Sequence, residues 1–480
     1  MEKTPRHTQA FAPDNLPPPM NYVTEPERNT EILCEADVVV LGGGPAGIAA
    51  AWAAARQGSS TVLVERYGFL GGMGTAAGVT NFCGLHANVH GEHRQVVHGI
   101  ADEILERLQK MDGLNAPHLS LANRITAQAY DISAYKIAAD ELLAACGARI
   151  LFHAFGAGAS MRSEREIDAL LVETKSGRRA VRGRVFIDCS GDGDLAAWAG
   201  APFELGDGAG NMLYPSTMFR ISGVDPVKAG RAWEIIPRLM EEAEKKGRRF
   251  PRKGAIVRPQ KNPIEWRANL TQIRNPDGTA VSGIDAEQLS YGEIEGRRQC
   301  RDVFEFIKGV TPGFENAYIV EIAPQIGIRE TRRVVGEYLL SEADILGCAS
   351  FADSIGVNGW PVEAHVAGNV LLKFAPAPQS RGFNQLPYRM IVPQRIENLF
   401  VAGRCASMTH DGQSSARVSG PCFAMGQAAG SAADLALAAR TVPRSLDVAT
   451  LQRRLAADGA YLGVDADARA EAKAKTSATA

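Results

Sequence analysis

No run of about 18 apolar residues occurs in the 480-residue chain, which argues against a membrane-spanning helix. The opening stretch MEKTPRHTQAFAPDNLPPP places no apolar segment behind its charges, so no export signal is expected. Charge of one sign is not in excess either: 52 Lys and Arg face 54 Asp and Glu, leaving a formal net charge of −2. Nucleic acid requires a basic surface to meet its phosphates and is not expected as a partner. The eight cysteines show no CxxC pair and no His-linked metal spacing, so neither a disulfide framework nor a metal site is indicated. His90, His93 and His98 lie close in sequence but without His-x3-His spacing, and read as a polar loop. Unpaired thiols fit a reducing compartment, which makes a cytoplasmic location the expectation. Repeats of fixed period are also missing.

The chain does have enough apolar residues, 45% of its composition, to bury a large core, and its length predicts two or three domains. Residues 1–34, with six prolines in the first 30, read as an extended arm, a candidate for draping over the neighbour in a homodimer. ADVVVLGGGPAGIAAAWAAARQGSSTVLVER then reads as strand, glycine turn, alanine-rich helix and second strand. Helical spacing recurs from Asp131 to Cys146, with Gly147 as the C-cap. ARILFHAF, IDALLVET and RVFIDCSG read as short strands, RIENLFVAGRC as a last buried strand, and GPCFAMGQAAGSAADLALAAR as a long helix of small residues. The expected class is α/β: a Rossmann-like nucleotide-binding domain at 35–205 and 385–445, interrupted by a mixed α+β substrate or cap domain at 206–384. Residues 446–480 are expected to form a C-terminal helical tail.

Gly42, Gly44 and Gly47 form GxGxxG between a strand and a helix, with Pro45 and Ala46 inside the motif. The first glycine allows the tight turn, the second lets a pyrophosphate approach the backbone, and the third lets helix and strand pack closely. Glu65 closes the next strand, where a carboxylate accepts from a ribose diol. This pattern alone leaves FAD and NAD open, since both carry an ADP. The next segment, Arg66 to Thr75, includes Gly71, Gly72, Met73 and Gly74, a glycine density that lets backbone run against a flat ligand and that an NAD-only domain does not need.

From about Asp37 to Ala433 the chain resembles the family of FAD-dependent oxidoreductases that is loosely related to the fumarate reductase and thiazole synthase flavoproteins. GGGPAGIAAA with VERYGFLGGMGT, VFIDCSGDGDLAAWAGAPFELG, IGIRETRRVVGEYLL, and LPYRMIVPQRIENLFVAGRC leading to RVSGPCFAMGQAAG carry the likeness over most of the chain. The resemblance implies non-covalent FAD in a glutathione-reductase-type domain. Ser190, Gly191 and Asp192 then belong to a turn passing the diphosphate or ribose, and Gly403 and Arg404 end a strand that delivers the diphosphate end of the flavin. Arg404 is expected to neutralise phosphate charge. Gly420 opens a helix whose positive end, reaching to Ala424, would face the reduced ring. Gly156 completes the expected cofactor set. A histidine-linked covalent flavin is disfavoured, because no histidine lies between Gly72 and His86.

A flavin performs the electron chemistry, which leaves the protein to place the substrate and manage one proton. His410 and Arg417, in THDGQSSARVSGP, are the first candidates: His410 either moves a proton or packs structurally, and Arg417 either clamps a carboxylate or pairs with Asp411. Arg332, with Arg329 on the same face of an expected helix, either binds substrate or forms ion pairs, while Glu330 would pair with Arg333. Tyr388 either contacts the flavin or fills the interface. A redox disulfide between Cys83 and Cys405 or Cys422 has no support from spacing. The expected activity is hydride transfer between flavin N5 and a small polar, by its arginines anionic, substrate. The alternatives are a flavin monooxygenase, since Asp192-Gly193 superficially resembles the Asp-Gly element of aromatic hydroxylases, and an electron-transfer subunit, for which no iron–sulfur pattern is present. A non-enzymatic nucleotide-binding scaffold is the remaining class.

Overall fold

The computed structural model describes residues 23–464, apart from residue 255. The first 22 residues of the expected arm and residues 465–480 of the expected tail lie outside the described residues. Strand β1 (Ile32–Leu41) already starts within the segment read as an arm. Its Val38, Val39 and Val40 are fully buried, as a strand covered on both faces requires. Helix α1 (Pro45–Arg56) follows the glycine turn with Pro45 in its first turn, a position that needs no backbone N–H. Strand β2 (Thr61–Val64) returns parallel to β1. Helix α2 (Ile132–Cys146) is capped by the Asp131 carboxylate, which accepts from Ala134 N at 2.8 Å, and stops at Gly147, which takes φ 78°.

Strand β3 (Arg149–Leu151) adds parallel to β2. The meander β4 (Phe155–Ser163), β5 (Glu166–Thr174) and β6 (Gly177–Asp188) closes the first half of the unit. In the inserted region, β7 (Phe219–Ser222), β8 (Ile256–Pro259), β9 (Trp266–Asn269) and β10 (Tyr318–Ile322) form an antiparallel sheet in the order β8-β9-β7-β10. The 25-residue helix α3 (Ala286–Val310) packs on it through Cys300, Val303 and Ile307, around a core of Phe219, Trp266 and Phe314. A hairpin of β11 (Val362–Val366) and β12 (Asn369–Lys373) ends the region. The chain then re-enters the first sheet through β13 (Leu399–Val401), followed by α4 (His410–Ala416), α5 (Ser419–Ala439) and α6 (Val448–Ala457).

Strand β6 joins the two halves. One edge pairs parallel with β1 from Ala180 to Asp188, and the other pairs antiparallel with β5 over its first part and parallel with β13 over its last three residues. The resulting seven-stranded sheet runs β3-β2-β1-β6-β5-β4, with β13 against the end of β6. The fold is thus α/β and Rossmann-like, with a mixed α+β insertion.

Helices α1 and α5 both cover one face of this sheet and touch along their backbones. A Cβ on Gly426 would lie 2.1 Å from Ala46 O, and one on Gly430 would lie 2.2 Å from Ala50 O. The equal step of four residues means that the helices run in the same direction, so both N-termini point to the same end of the sheet. Overpacking of this kind costs about 1–3 kcal/mol. Gly426→Ala is therefore expected to lower unfolding stability by about that amount in denaturant titration. Gly309→Ala, in α3 with open space around it, is expected to be neutral or to stabilise by up to about 1 kcal/mol.

Candidate active site

A cavity of about 540 Å³ starts at the end of β1 and runs to the cap sheet. Gly42, Gly43, Gly44, Pro45 and Ala46 line its first part. The glycines of the turn serve different needs. A Cβ on Gly42 would sit 2.4 Å from Cys189 O, and one on Gly47 1.7 Å from Gly42 O, so both are required by packing. A Cβ on Gly44 meets nothing closer than Gly72 Cα at 3.7 Å. Its glycine satisfies no protein contact and leaves backbone open to the cavity, which fits a cofactor diphosphate at the start of α1. Glu65 is buried, and burial raises its pKa while hydrogen bonds oppose the rise. Its Oε2 accepts from Gly43 N at 2.6 Å and its Oε1 from Tyr67 N at 2.9 Å, which leaves one lone pair on each oxygen for ribose hydroxyls. Arg66, Gly72, Met73, Gly74 and Gly156 also line the cavity.

The fully buried Asp188 carboxylate shapes the next wall. It accepts from Ser190 N, Ser190 Oγ and Ala196 N at 2.6–3.0 Å, which fixes the turn that presents Ser190 and Gly191 to the cavity. Gly403 and Arg404 line the opposite side. Arg404 differs from the expectation: its Nη2 is tied to Asp192 at 2.8 Å and its Nη1 donates to Thr331 Oγ1 at 3.2 Å. Its charge is therefore already countered, and Asp192, which does not line the cavity, acts as its anchor.

Beyond this point the cavity becomes aromatic, then cationic. Phe82, Tyr130 and Tyr135 form one cluster, with ring centroids 4.3–5.2 Å apart. Cys83 and Cys422 are nearby wall residues, and burial pushes both thiols up to about 12, so neither is a thiolate at neutral pH. All eight cysteines are free. At the cap end stand Arg252, Arg329 and Arg417. Arg252 is 2% exposed, with Nε and Nη1 unpartnered and only Nη2 bonded, to Gly254 O. Burial lowers its pKa to about 10, leaving it cationic. Arg417 has Nε and Nη2 unpartnered. Its suggested pairing with Asp411 is not formed. Arg329 donates to Tyr214 O at 2.6 Å and Ser216 Oγ at 2.8 Å, and its charge is opposed by burial and by Arg417 and Arg252. Among these, Glu363 supplies the negative charge. Its oxygens accept from Trp360 Nε1 at 2.8 Å and bond His365 Nε2 at 3.2 Å.

Several expected site residues lie elsewhere. Gly47 and Gly71 are packing glycines, Gly71 with φ 108° beside Thr75. Thr75 Oγ1 donates to Leu70 O at 2.7 Å. A Cβ on Gly420 would meet Gly84 O at 2.2 Å, so this glycine admits the Gly84 turn, and Ala424 packs against Gly356. His410 is turned from the cavity and bonds Glu330 at 2.9 Å, which in turn pairs with Arg333. Arg332 pairs with Asp194 at 2.8 Å over the Phe203 ring. The stretch carrying Arg329, Glu330 and Arg332 is not helical, so the expected shared face does not exist and the two arginines diverge. Tyr388 donates to Pro443 O and fills the interface. His93 bonds Thr126 and Asn123, and His98 bonds Asp102, so these two cluster histidines have separate partners.

Arg252 was not among the expected site residues, while Glu363 and His365 fall in Phe351–His365, a stretch of the insertion expected to line the pocket but given no role residue by residue. Arg252 sits in RRFPRKG, where basic neighbours hide it, but VEAHV alternates on a hairpin and puts Glu363 and His365 two apart, on one face.

A family profile described as FAD dependent oxidoreductase matches residues 37–455. Among solved structures, the chain is similar to a geranylgeranyl bacteriochlorophyll reductase-like protein from Thermoplasma acidophilum (13% identity over 88% of this chain and 82% of that one, TM-score 0.43). It is also similar to the Diels-Alderase PyrE3 of pyrroindomycin biosynthesis (14%, 88% and 70%, TM-score 0.43). A third is the anhydrotetracycline hydroxylase OxyS from Streptomyces rimosus (13%, 88% and 66%, TM-score 0.41). No curated protein matches the chain.

The Glu330 carboxylate raises the pKa of His410 although burial opposes the charge. Stability from this pair is fully present below the unfolded-state pKa of about 6.5 and is lost as pH rises through the raised folded value. His410→Asn is expected to cost about 1–2 kcal/mol at pH 5.5 and less at pH 9 in denaturant titration, with flavin content unchanged.

Proposed function

Because the chain belongs to the family of FAD-dependent oxidoreductases, we propose that it transfers hydride between the N5 of its bound FAD and a carbon of a small, anionic organic substrate. FAD supplies the two-electron chemistry, and the chain supplies binding, orientation and charge. In this reading residues 35–205 and 385–445 hold the cofactor, and 206–384 provide most of the substrate site. Gly44 leaves room for the diphosphate, Glu65 holds the adenosine ribose, and the start of α5 stands beside the flavin.

The observation that carries the anionic substrate is the pair of guanidiniums with unpartnered N–H groups at the cap end. Eight cationic side chains line the cavity, against the carboxylates Glu65, Asp194 and Glu363. The FAD diphosphate offsets about two positive charges, and Arg404 is already anchored by Asp192. Burying a guanidinium with unmade hydrogen bonds costs several kcal/mol, a cost that is recovered when an anion takes those donors. Arg252 and Arg417 each present such donors.

Purified protein is expected to show a flavin spectrum, to release intact FAD on heating, and to be bleached anaerobically by small acids better than by neutral analogues. Gly44→Ala is expected to keep the fold and weaken FAD binding about tenfold or more. Arg417→Gln is expected to retain FAD and raise the dissociation constant of an acid, read from the flavin difference spectrum, by about 10–100-fold. Bleaching by neutral compounds alone would overturn the anionic assignment. Hydroxylation of a substrate with consumption of NADPH and oxygen would replace hydride transfer by the monooxygenase reading.

A further inference from the structure

The hairpin β11–β12 brings to the cavity a second kind of chemistry, next to the arginines. Glu363 and His365 lie on one face of β11, and both line the cavity with Trp360. The Glu363 carboxylate is held at Oε2 by Trp360 Nε1 and at Oε1 by His365 Nε2. An ionised carboxylate only accepts, so a neutral His365 carries its ring proton on Nε2 and leaves the Nδ1 lone pair free. That is the tautomer of a proton acceptor, set by a carboxylate behind it. The His365 backbone carbonyl accepts from Tyr214 N at 3.0 Å, which fixes the strand carrying the ring.

From this arrangement we infer that the substrate is a 2-hydroxy acid, with its carboxylate on Arg252, Arg329 and Arg417, its hydroxyl on His365 Nδ1, and Glu363 as the residue that positions the imidazole. The inference rests on the hydride-transfer reading above. The hydroxyl O–H bond breaks with its proton going to Nδ1. The neighbouring C–H bond breaks with its electron pair leaving as hydride to the flavin, and a C=O bond forms. The acid is oxidised by two electrons to a 2-oxo acid, and FAD is the oxidant.

Two observations choose this class. The first is proximity: the Tyr214 carbonyl accepts from Arg329 Nη1 at 2.6 Å while Tyr214 N donates to His365 O at 3.0 Å, so a single residue separates the guanidinium from the strand that carries the imidazole. That spacing suits a carboxylate and a hydroxyl on adjacent carbons, and burial, Arg329 and Arg417 lower the proton affinity of His365 against the pull of Glu363. The second is sign. Three guanidiniums against one carboxylate repel an ammonium group, which separates a hydroxy acid from a 2-amino acid. The same charges couple binding to proton transfer: a bound carboxylate neutralises Arg329 and Arg417, and the basicity of His365 rises when substrate is in place.

The test uses the FAD-loaded enzyme. Lactate, malate and 2-hydroxyglutarate are compared with alanine, aspartate, glutamate and propanol in anaerobic flavin reduction. Pyruvate, oxaloacetate and 2-oxoglutarate are titrated against the oxidised flavin spectrum to measure binding alone. A hydroxy acid is expected to reduce the flavin and its 2-oxo acid to perturb the spectrum. His365→Asn is expected to slow reduction about 10²–10⁴-fold with 2-oxo acid affinity changed less than about threefold. Imidazole is expected to restore part of the rate in His365→Ala. Glu363→Gln is expected to alter the pH profile of reduction and to leave FAD bound. The inference falls if amino acids reduce the flavin and hydroxy acids do not, if no acid of either class does, or if His365→Asn reduces it at the wild-type rate. It also falls if that variant loses binding and reduction in equal measure. The proposed function fails separately, if the protein binds no FAD or if its reduced flavin comes from NADPH and ends in hydroxylation.

Discussion

Everything at the cofactor end depends on the near contact of two helices. Gly426 and Gly430 let α5 approach the backbone of Ala46 and Ala50 on α1, closer than any side chain would allow. Since the helices run in the same direction, their N-terminal ends, each carrying partial positive charge, arrive together at the cavity. One end comes from the start of the chain and the other from some 370 residues later, after the whole cap has been inserted. Strand β6 makes the same junction in the sheet, by offering β1 one edge and β13 the other. This end of the cavity is thus assembled from two distant segments whose registration is set by glycine contacts and ladder hydrogen bonds.

The ion pairs divide by what they are near. Several buried charges are matched: Glu330 takes Arg333 and His410, Arg332 takes Asp194, and Arg404 takes Asp192. Such buried pairs are costly to break and set geometry more than they add stability. At the cap end the matching stops. Arg252 and Arg417 keep unbonded N–H groups while remaining close to other cations. Arg252 and Arg417 thus leave donors open at the cap end of the cavity, where an anion can take them.

The strand and glycine turn at one end of the cavity were legible because their pattern is local in sequence. The strand, glycine turn, helix and terminal Glu65 lie within some thirty residues, and each residue type answers to a backbone need. Even there, sequence does not tell a glycine kept for packing, such as Gly42 or Gly47, from one left open to a ligand, such as Gly44; only neighbours in space do that. The catalytic end misled for a related reason. GIRETRR has the charge spacing of a helix, but the chain there is extended, so Arg329 turns into the cavity and Arg332 away from it. His410 stood in the right loop and was claimed by Glu330, 80 positions earlier. Arg252 comes from a loop where basic neighbours hide it, and His365 from a hairpin whose alternation puts it beside Glu363 without showing which face meets the cavity.

This division also has a consequence for how the site is built. Of the residues proposed to meet substrate, only Arg417 comes from the cofactor-binding part, at the end of α4, while Arg252, Arg329, Glu363 and His365 come from the insertion. Arg417 faces Glu363 across the two parts, and each shifts the other's proton affinity through charge. The insertion therefore reaches the flavin unit through an attraction that substrate competes with directly. An arriving carboxylate takes the donors of Arg417 and weakens its pull on Glu363, so the carboxylate that orients His365 holds the imidazole more strongly in the same event. Binding and preparation for proton transfer are one electrostatic rearrangement, and its two halves are supplied by two parts of the chain.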